Sequence, residues 1–259
     1  METASKDIPL SSLLQAIAIS AGILIYSNNH NNNQGKEAYN FLQNFRNAAN
    51  DSVHHIRLCL QILLAPGARG DNHSLKVNDS NHILTVLDHS GNRMDVTVSA
   101  KLFALLVLKK YVEVKYKTNA LSAMDAQQLR SAVLEGARLA AMESLSICNN
   151  ASKFNEIKLV GSKIAELLAN LACRDFPQRW TTFWDDLLVI WNVDGESGNS
   201  INYCLGAQIC IECLRVLTED CTDSDFNSKV RMQFILLKKW CVWILFDWLI
   251  FKIHLCYGM

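Results

Sequence analysis

The side chains in this sequence that could do chemistry by their type and spacing are chiefly thiols. Cys210 and Cys213 form a C-x-x-C pair, with Cys204 before it and Cys221 after it. Two thiolates at this spacing can supply half of a tetrahedral zinc site, which needs a second Cys or His pair nearby. No second pair follows, and the first lies in an apolar helical pattern, so we expect buried, reduced thiols and no bound metal.

Patterns for catalysis on phosphate or acyl groups are weaker. Gly35-Lys36 lacks the glycine spacing of a phosphate-binding loop. His54 and His55 are neighbours in a helical pattern, where adjacent side chains diverge and do not share a ligand. No Ser has His and Asp partners in a recognisable motif, although a triad can assemble from distant positions. We therefore predict a protein that is not an enzyme and binds no cofactor, with an enzyme built on a helical bundle as the lesser alternative.

Basic residues are candidates for contact with a partner. The 25 basic and 25 acidic residues give a net charge of zero, so the chain as a whole does not attract nucleic acid or an anionic membrane. One basic run, formed by Lys109, Lys110, Lys115 and Lys117, is interleaved with tyrosines. Such a run is typical of RNA-contacting segments and equally of an ordinary helix end, where lysines interact favourably with the helix dipole.

Two acidic pairs complete the set of candidates. Asp185-Asp186 and Glu219-Asp220 lie at the polar edges of helical patterns. Because the apolar positions around Asp185 and Asp186 must face the core, we expect both carboxylates to point into solvent. Most pairs of this kind are solvated faces, and the alternative is contact with a basic partner.

The elements that position these residues are helices. Apolar residues recur every three or four positions through nearly every long segment, and no alternating strand pattern is convincing. We predict an all-α protein of about nine helices, joined mostly by short connections into successive antiparallel pairs. Such pairs are typical of a right-handed α-solenoid of HEAT-like helical hairpins, and a globular helical bundle is the alternative.

The pattern divides the chain into four regions. Residues 8–66 are a first HEAT-like region, residues 67–97 an insertion loop, residues 98–239 further HEAT-like repeats and residues 240–259 an atypical apolar tail. The insertion is polar and rich in Gly, Asn and Asp, so we expect it to be disordered or to form a short hairpin. The tail lacks amphipathic period and is interrupted by charges, so we interpret it as a foreign or truncated terminus and not as a membrane span.

One stretch, CRDFPQRWTTFWDDLLVIW, contains three of the six Trp and one of the three Pro. Phe176 precedes a proline and is biased away from the helical region, while Pro177 suits the first turn of a new helix. We predict the corner of a helical hairpin, in which Trp180 fills the wedge between the helices. Phe183 and Trp184 follow on the second helix of that hairpin.

The same stretch resembles a known family. The run KIAELLANLACRDFPQRWTTFWDDLL is similar to the exportin signature of the importin-beta (karyopherin) superfamily. In that signature, a helix rich in Leu and Ala leads through a charged residue, an aromatic residue, Pro and Trp into an amphipathic helix. Flanking segments resemble exportin repeats in the same order, so the resemblance covers residues 10–239. The segment CLRVLTEDC is similar to a pattern of the exportin-5 branch.

The resemblance implies a nuclear export receptor. Such a receptor is a monomer that shuttles between nucleus and cytoplasm, contacts nuclear-pore components and binds the GTPase Ran in its GTP form. Ran lies on the concave side, which the second helix of each pair lines, and the exportin-5 branch implies small structured RNA as cargo. A generic helical-repeat scaffold without Ran dependence is the alternative. The candidate contacts with Ran are Lys109, Lys110, Glu113, Asp185 and Asp186.

Overall fold

The computed structural model describes residues 8–21, 31–65, 86–87, 93–94, 96–118, 121–147, 150–194 and 205–220. Within these ranges the ordered elements are helices, apart from one short pair of strands, and the predicted all-α class is confirmed. In chain order the elements are α1 (Leu10–Ser20), α2 (Asn31–Ala48), α3 (Val53–Leu64), β1 (Val86–Leu87), β2 (Arg93–Met94), α4 (Val98–Lys117), α5 (Ala123–Ser146), α6 (Ala151–Asp175), α7 (Phe183–Trp191), a 3-10 turn (Asn192–Asp194) and α8 (Leu205–Asp220).

The described helices stack as an α-solenoid of HEAT-like hairpins. α1 packs against α2, α3 against α4, α5 against α6 and α7 against α8. The hairpins stack because α4 packs against α6 and α6 against α8, while α3 packs against α5 and α5 against α7. We name the first set of helices, α4, α6 and α8, the even layer, and the second set, α3, α5 and α7, the odd layer.

The pairing of helices at the predicted corner differs from the expectation. The sequence predicts that α6 and α7 form one hairpin, but within the described residues these two helices make only marginal contact. Instead α6 buries its apolar surface against α5 in its own hairpin and against α4 and α8 in the even layer. Residues 176–182 therefore join two successive hairpins, and the prediction of a corner within one hairpin was wrong.

The start of α7 also differs from the prediction. Pro177 was expected in the first helical turn, but residues 176–179 and 181–182 form turns and α7 begins at Phe183. The backbone amides of Arg179 and Trp180 both donate to the carbonyl oxygen of Asp175, at 2.6 and 3.0 Å. These hydrogen bonds fold the chain back onto the end of α6 before the next helix begins.

α6 lies at the centre of the core because most of its circumference is apolar. Ile164, Leu167, Leu168 and Leu171 are fully buried. Gly161 lets α8 approach closely, since a Cβ atom at this position would lie 3.1 Å from the side chain of Ile209. The helix is therefore covered on several sides by other helices, which explains why its sequence is apolar beyond a single stripe.

One other segment differs from the prediction, and one follows an alternative that the sequence left open. The sequence predicts an Asn-rich loop over residues 26–36, but α2 begins at Asn31. Once a packed helix exists, extending it by a residue adds a backbone hydrogen bond, which outweighs the turn preference of Asn. In the predicted insertion, β1 and β2 pair antiparallel, with Val86 opposite Met94. This pairing agrees with the short hairpin that was one of the two expectations for the insertion.

Two predicted segments lie outside the described residues: a ninth helix over residues 224–240 and the apolar tail over residues 240–259. Among the helices that are described, none combines the length and apolar character that crossing a membrane requires.

Candidate partner-binding surfaces

A buried ion pair organises the connection between α6 and α7. α6 ends at Asp175, whose carboxylate is fully buried and accepts a hydrogen bond from the guanidinium of Arg130 on α5. The second oxygen, Oδ1, has no hydrogen-bond partner among the described residues. Because both charges are removed from water, each depends on the other, and the pair ties the end of α6 to α5.

Trp180 packs against this ion pair. It is 3% exposed, and its ring centre lies 5.5 Å from the guanidinium carbon of Arg130. Its indole Nε1 donates to Oδ2 of Asp186 on α7 at 2.7 Å. A buried indole N–H needs such an acceptor. Trp180 therefore connects α5 to α7 through one cation–π contact and one hydrogen bond.

Asp186 differs from the solvated acid that the sequence predicts. Its Oδ2 accepts a second hydrogen bond, from Oγ1 of Thr182 at 2.9 Å, and the residue is half-buried. The expectation was wrong because helical periodicity places Asp186 relative to α7 alone, and the turn before α7 folds over it. Its neighbour Asp185 is exposed, as expected. We name the corner network the residues Arg130, Asp175, Trp180, Thr182 and Asp186.

Aromatic rings pack beside the corner network. The ring centre of Phe183 lies 5.5 Å from that of Phe176, 5.0 Å from that of Trp180 and 4.9 Å from that of Trp184. Pro177 follows Phe176 through a cis peptide bond. The five residues predicted to form a corner therefore lie together, at the junction of two hairpins.

A row of alternating charges crosses the even layer. Nζ of Lys109 on α4 donates to Oε2 of Glu166 on α6 at 3.2 Å, and Lys163 donates to the other oxygen of the same carboxylate. On α8 the guanidinium of Arg215 donates two hydrogen bonds to Glu212, at 2.7 and 2.8 Å, and one to Glu219 at 2.5 Å. We name the even-layer strip the residues Lys109, Lys163, Glu166, Glu212, Arg215 and Glu219.

The pKa values of the acids link the parts of the strip. Burial by itself raises the pKa of Glu166, but the hydrogen bonds from Lys163 and Lys109 outweigh burial and hold the pKa below its usual range. The hydrogen bond from Arg215 lowers the pKa of Glu212, and the charge of Lys163 lowers it further across the boundary between α6 and α8. The carboxylates of Glu166 and Glu212 are therefore stabilised in their charged form by basic groups of the strip itself.

The other candidate residues of α4 contact residues outside the strip or face solvent. Nζ of Lys110 donates to Oδ1 of Asn47 at 3.2 Å, and Nζ of Lys115 lies 4.0 Å from a carboxylate oxygen of Asp51. Glu113 is exposed. Since Lys115 and Lys109 face acids of neighbouring elements, the basic run is partly neutralised, which makes it less suited to nucleic acid than the sequence suggests.

The five residues predicted to contact Ran do not form one cluster. Lys109, Lys110 and Glu113 lie on α4 in the even layer, whereas Asp185 and Asp186 lie on α7 in the odd layer. Among the described residues, α4 and α7 make no more than marginal contact. The two groups therefore belong to separate surfaces.

Of the four cysteines whose surroundings the structure describes, Cys173 is half-buried and the other three are buried. Cys210 and Cys213 are buried on α8, and Cys59 is buried on α3. Burial raises the pKa of Cys59 to about 12, and burial, followed by the charges of nearby groups, raises the pKa of Cys213 well above its usual value. A thiol held in its protonated form is a poor nucleophile and a poor metal ligand. Within the described part of the chain, no group of three or more His, Cys, Asp or Glu residues could hold a metal ion.

The two adjacent histidines have different surroundings. His55 is buried with its ring centre 4.4 Å from that of Phe45, and its Nδ1 has no partner among the described atoms. Burial and then the neighbouring His54 lower the pKa of His55. His54 is half-buried, and its Nε2 lies 3.1 Å from the carbonyl oxygen of Ile8. The pair therefore packs α3 against α2 and the segment before α1, and does not form a shared site.

Sequence reasoning did not single out Arg130, Lys163 or Glu166. The spacing of three residues between Lys163 and Glu166 is a signal that could have indicated an ion pair on one helix face. Arg130 and Asp175 are 45 residues apart, so no local pattern connects them. Only the packing of α5 against the end of α6 brings these two residues together.

In a comparison with known proteins, one family model matches part of the chain. Residues 158–244 match the family model described as Exportin 1-like protein. The match covers about a third of the chain, begins inside α6 and extends past the end of α8. No curated protein and no solved structure matches the chain. The match supports a relationship of this region to the exportins of the importin-beta superfamily.

Proposed function

We propose that this chain is an exportin-like nuclear transport receptor, or part of one, which acts by binding and not by catalysis. The observation that carries the proposal is the match of residues 158–244 to the Exportin 1-like family, over the region where α6, α7 and α8 stack. The resemblance of the sequence to exportin repeats reaches further toward the amino terminus. Stacked hairpins suit this function because they present a long surface that can bind a folded protein.

We assign Ran in its GTP form to the even layer. In the receptors that the sequence resembles, Ran contacts the second helix of each pair, and with the pairing observed here the second helices are α2, α4, α6 and α8, of which the last three form the even layer. This layer carries the even-layer strip, and Lys110 and Glu113 lie on α4 of the same layer. Exposed charges of both signs suit an interface in which electrostatics fixes orientation and speeds association. Asp185 is a candidate for a separate contact on the odd layer.

The remaining parts of the proposal come from the same resemblance. As a member of the exportin-5 branch, the receptor would carry small structured RNA, contact nuclear-pore components and shuttle between nucleus and cytoplasm as a monomer. Contact with RNA through α4 has less support than contact with Ran, because Lys109 and Lys115 face carboxylates of the chain itself. We place the cargo contact outside α4.

The test is binding of Ran loaded with GTP or with GDP to the immobilised 259-residue chain. We expect binding of the GTP form and at least about tenfold weaker binding of the GDP form, with affinity that falls as salt is raised. Equal binding of both forms, or binding of neither by this chain and by a longer one, would favour a generic helical-repeat scaffold instead. Circular dichroism of the same sample confirms that the helices are folded.

A further inference from the structure

The turn before α7 presents an exposed hydroxyl to the carboxylate that holds Trp180. Oγ1 of Thr182 donates to Oδ2 of Asp186 at 2.9 Å, and Nε1 of Trp180 donates to the same oxygen at 2.7 Å. Thr182 is exposed, whereas Trp180 is buried. One carboxylate oxygen therefore serves both an accessible hydroxyl and a buried indole, so a change at the hydroxyl reaches the core directly.

Thr182 also lies at an exposed position of the turn. It is the last residue of the turn, outside the helical backbone, and Arg179 precedes it by three residues. Arg179 is exposed as well, and charge patterns around the acceptor hydroxyl are one means by which kinases select substrates. We propose that Thr182 is a phosphorylation site and that a phosphate at this position releases Trp180 from Asp186.

The transfer uses ATP as the phosphoryl donor. Oγ1 of Thr182 forms a bond to the γ-phosphorus, the bond from that phosphorus to the bridging oxygen breaks, and ADP leaves with the electron pair. The hydroxyl proton passes to the catalytic carboxylate of the kinase. The product has no hydroxyl donor for Asp186 and carries a charge of about −1.5 to −2 at neutral pH.

A phosphate on Thr182 would repel the carboxylate of Asp186. The hydroxyl oxygen lies within hydrogen-bond distance of Asp186, so a dianion attached to it must meet that carboxylate at close range. The start of α7 attracts anions, but Asp185 and Asp186 already occupy its first turn. Asp186 therefore moves away, the indole of Trp180 loses its acceptor, and the turn at 176–182 loosens.

Thr181 provides a matched control in the same turn. It is exposed like Thr182, but the hydrogen bonds described for Asp186 come from Thr182 and Trp180. The kinase for the experiment is one that phosphorylates a synthetic peptide of residues 174–187 on the threonine three residues after Arg179. The full chain, Thr181→Val, Thr182→Val and Arg179→Ala are then treated with this kinase and ATP, and the phosphate is located by mass spectrometry.

We expect one phosphate, on Thr182, in the full chain and in Thr181→Val, and none in Thr182→Val or Arg179→Ala. In the phosphorylated chain, amide hydrogen exchange over residues 180–187 should be at least about tenfold faster, with α4 unchanged. The proposal is overturned if the folded chain is not modified at Thr182 although the peptide is. It is equally overturned if the modified chain exchanges at the unmodified rate. As a second route, Thr182→Glu should accelerate exchange more than Thr181→Glu, and equal rates contradict the release of Trp180.

Discussion

Two regions of this molecule use the same chemical groups under opposite conditions. In the corner network Arg130 and Asp175 meet out of water, with 8% and 0% exposure. In the even-layer strip Arg215 and Glu212 meet at the surface, with side chains 51% and 30% exposed. Removing one member of a buried pair leaves an uncompensated charge, whereas water and salt replace a lost partner at the surface.

We infer from this difference that the corner network holds the stack of hairpins together, while the even-layer strip is available to a partner. The corner network connects α5, the end of α6 and α7, so it fixes how one hairpin follows the next. The strip contributes little to stability and can exchange its internal ion pairs for those of another protein. Substitutions in the corner network should therefore lower stability. Substitutions in the even-layer strip should chiefly weaken the binding of a partner.

The largest effect on stability is expected for Trp180→Ala. Loss of a buried Trp side chain that packs against Arg130 and Phe183 should lower the free energy of unfolding by about 3–5 kcal/mol. Trp184→Ala, in the same aromatic group but half-buried, should cost clearly less. Urea denaturation followed by circular dichroism measures both variants. A loss below about 0.5 kcal/mol for Trp180→Ala would show that the residue is not a core residue.

Asp175→Asn tests whether a buried ion pair contributes more to stability than an exposed one. The amide keeps the shape of the carboxylate but removes its charge, so the guanidinium of Arg130 stays buried without a counter-ion. We expect a loss of about 3 kcal/mol in the free energy of unfolding. The matched change in the strip, Glu212→Gln, should cost less than about 1 kcal/mol. Equal losses would remove the distinction between the two regions.

Adjacent acids of α7 provide a finer test. Asp186→Ala leaves the indole N–H of Trp180 buried without an acceptor, which should cost about 1–3 kcal/mol. Asp185→Ala changes an exposed residue of the same helical turn and should cost less than about 0.5 kcal/mol. Both changes remove one acid from the first turn, so the helix dipole contributes equally. Thermal melts of the two variants with the same midpoint would contradict the hydrogen bond to Trp180.

The smallest effect concerns pH. Burial lowers the pKa of His55 in the folded chain, so the unfolded chain binds a proton that the folded chain excludes. Stability should therefore begin to fall as pH drops below the unfolded value of about 6.5. The acids Glu166 and Glu212 have lowered pKa values, so their contribution is lost only below about pH 4.3. His55→Gln should remove the first of these two phases in denaturant titrations, and an unchanged pH profile would contradict its assignment to His55.

The sequence predicts most helices because their apolar residues follow the helical period. α5 and α6 begin after Ser122 and Asn150, whose side chains accept hydrogen bonds from the backbone amides three residues later, so local signals and packing agree there. At the corner they conflict. Pro177 is compatible with a helix start, but the backbone folds back onto Asp175 for several residues first.

Pairing and partner choice could not be predicted in the same way. Neighbouring helices in a chain can pack in one hairpin or belong to successive hairpins, and connection length does not distinguish these cases. The spacing between Thr182 and Asp186 is visible in the sequence, whereas the indole of Trp180 reaches Asp186 only through the turn. The sequence therefore predicts which residues are candidates for contact with Ran. It does not predict that they lie on two separate surfaces.

The most direct test of the account compares Ran binding by variants of the two layers. The double variant Lys109→Glu and Lys110→Glu reverses charge on α4, while Asp185→Lys and Arg57→Glu reverse charge at exposed positions of the odd layer. Interferometry at low salt measures the affinity for Ran with GTP. We predict that the α4 variant binds at least about tenfold more weakly, chiefly through slower association, and that both odd-layer variants stay within about twofold. Unchanged binding by the α4 variant together with weakened binding by Asp185→Lys would contradict the assignment of Ran to the even layer.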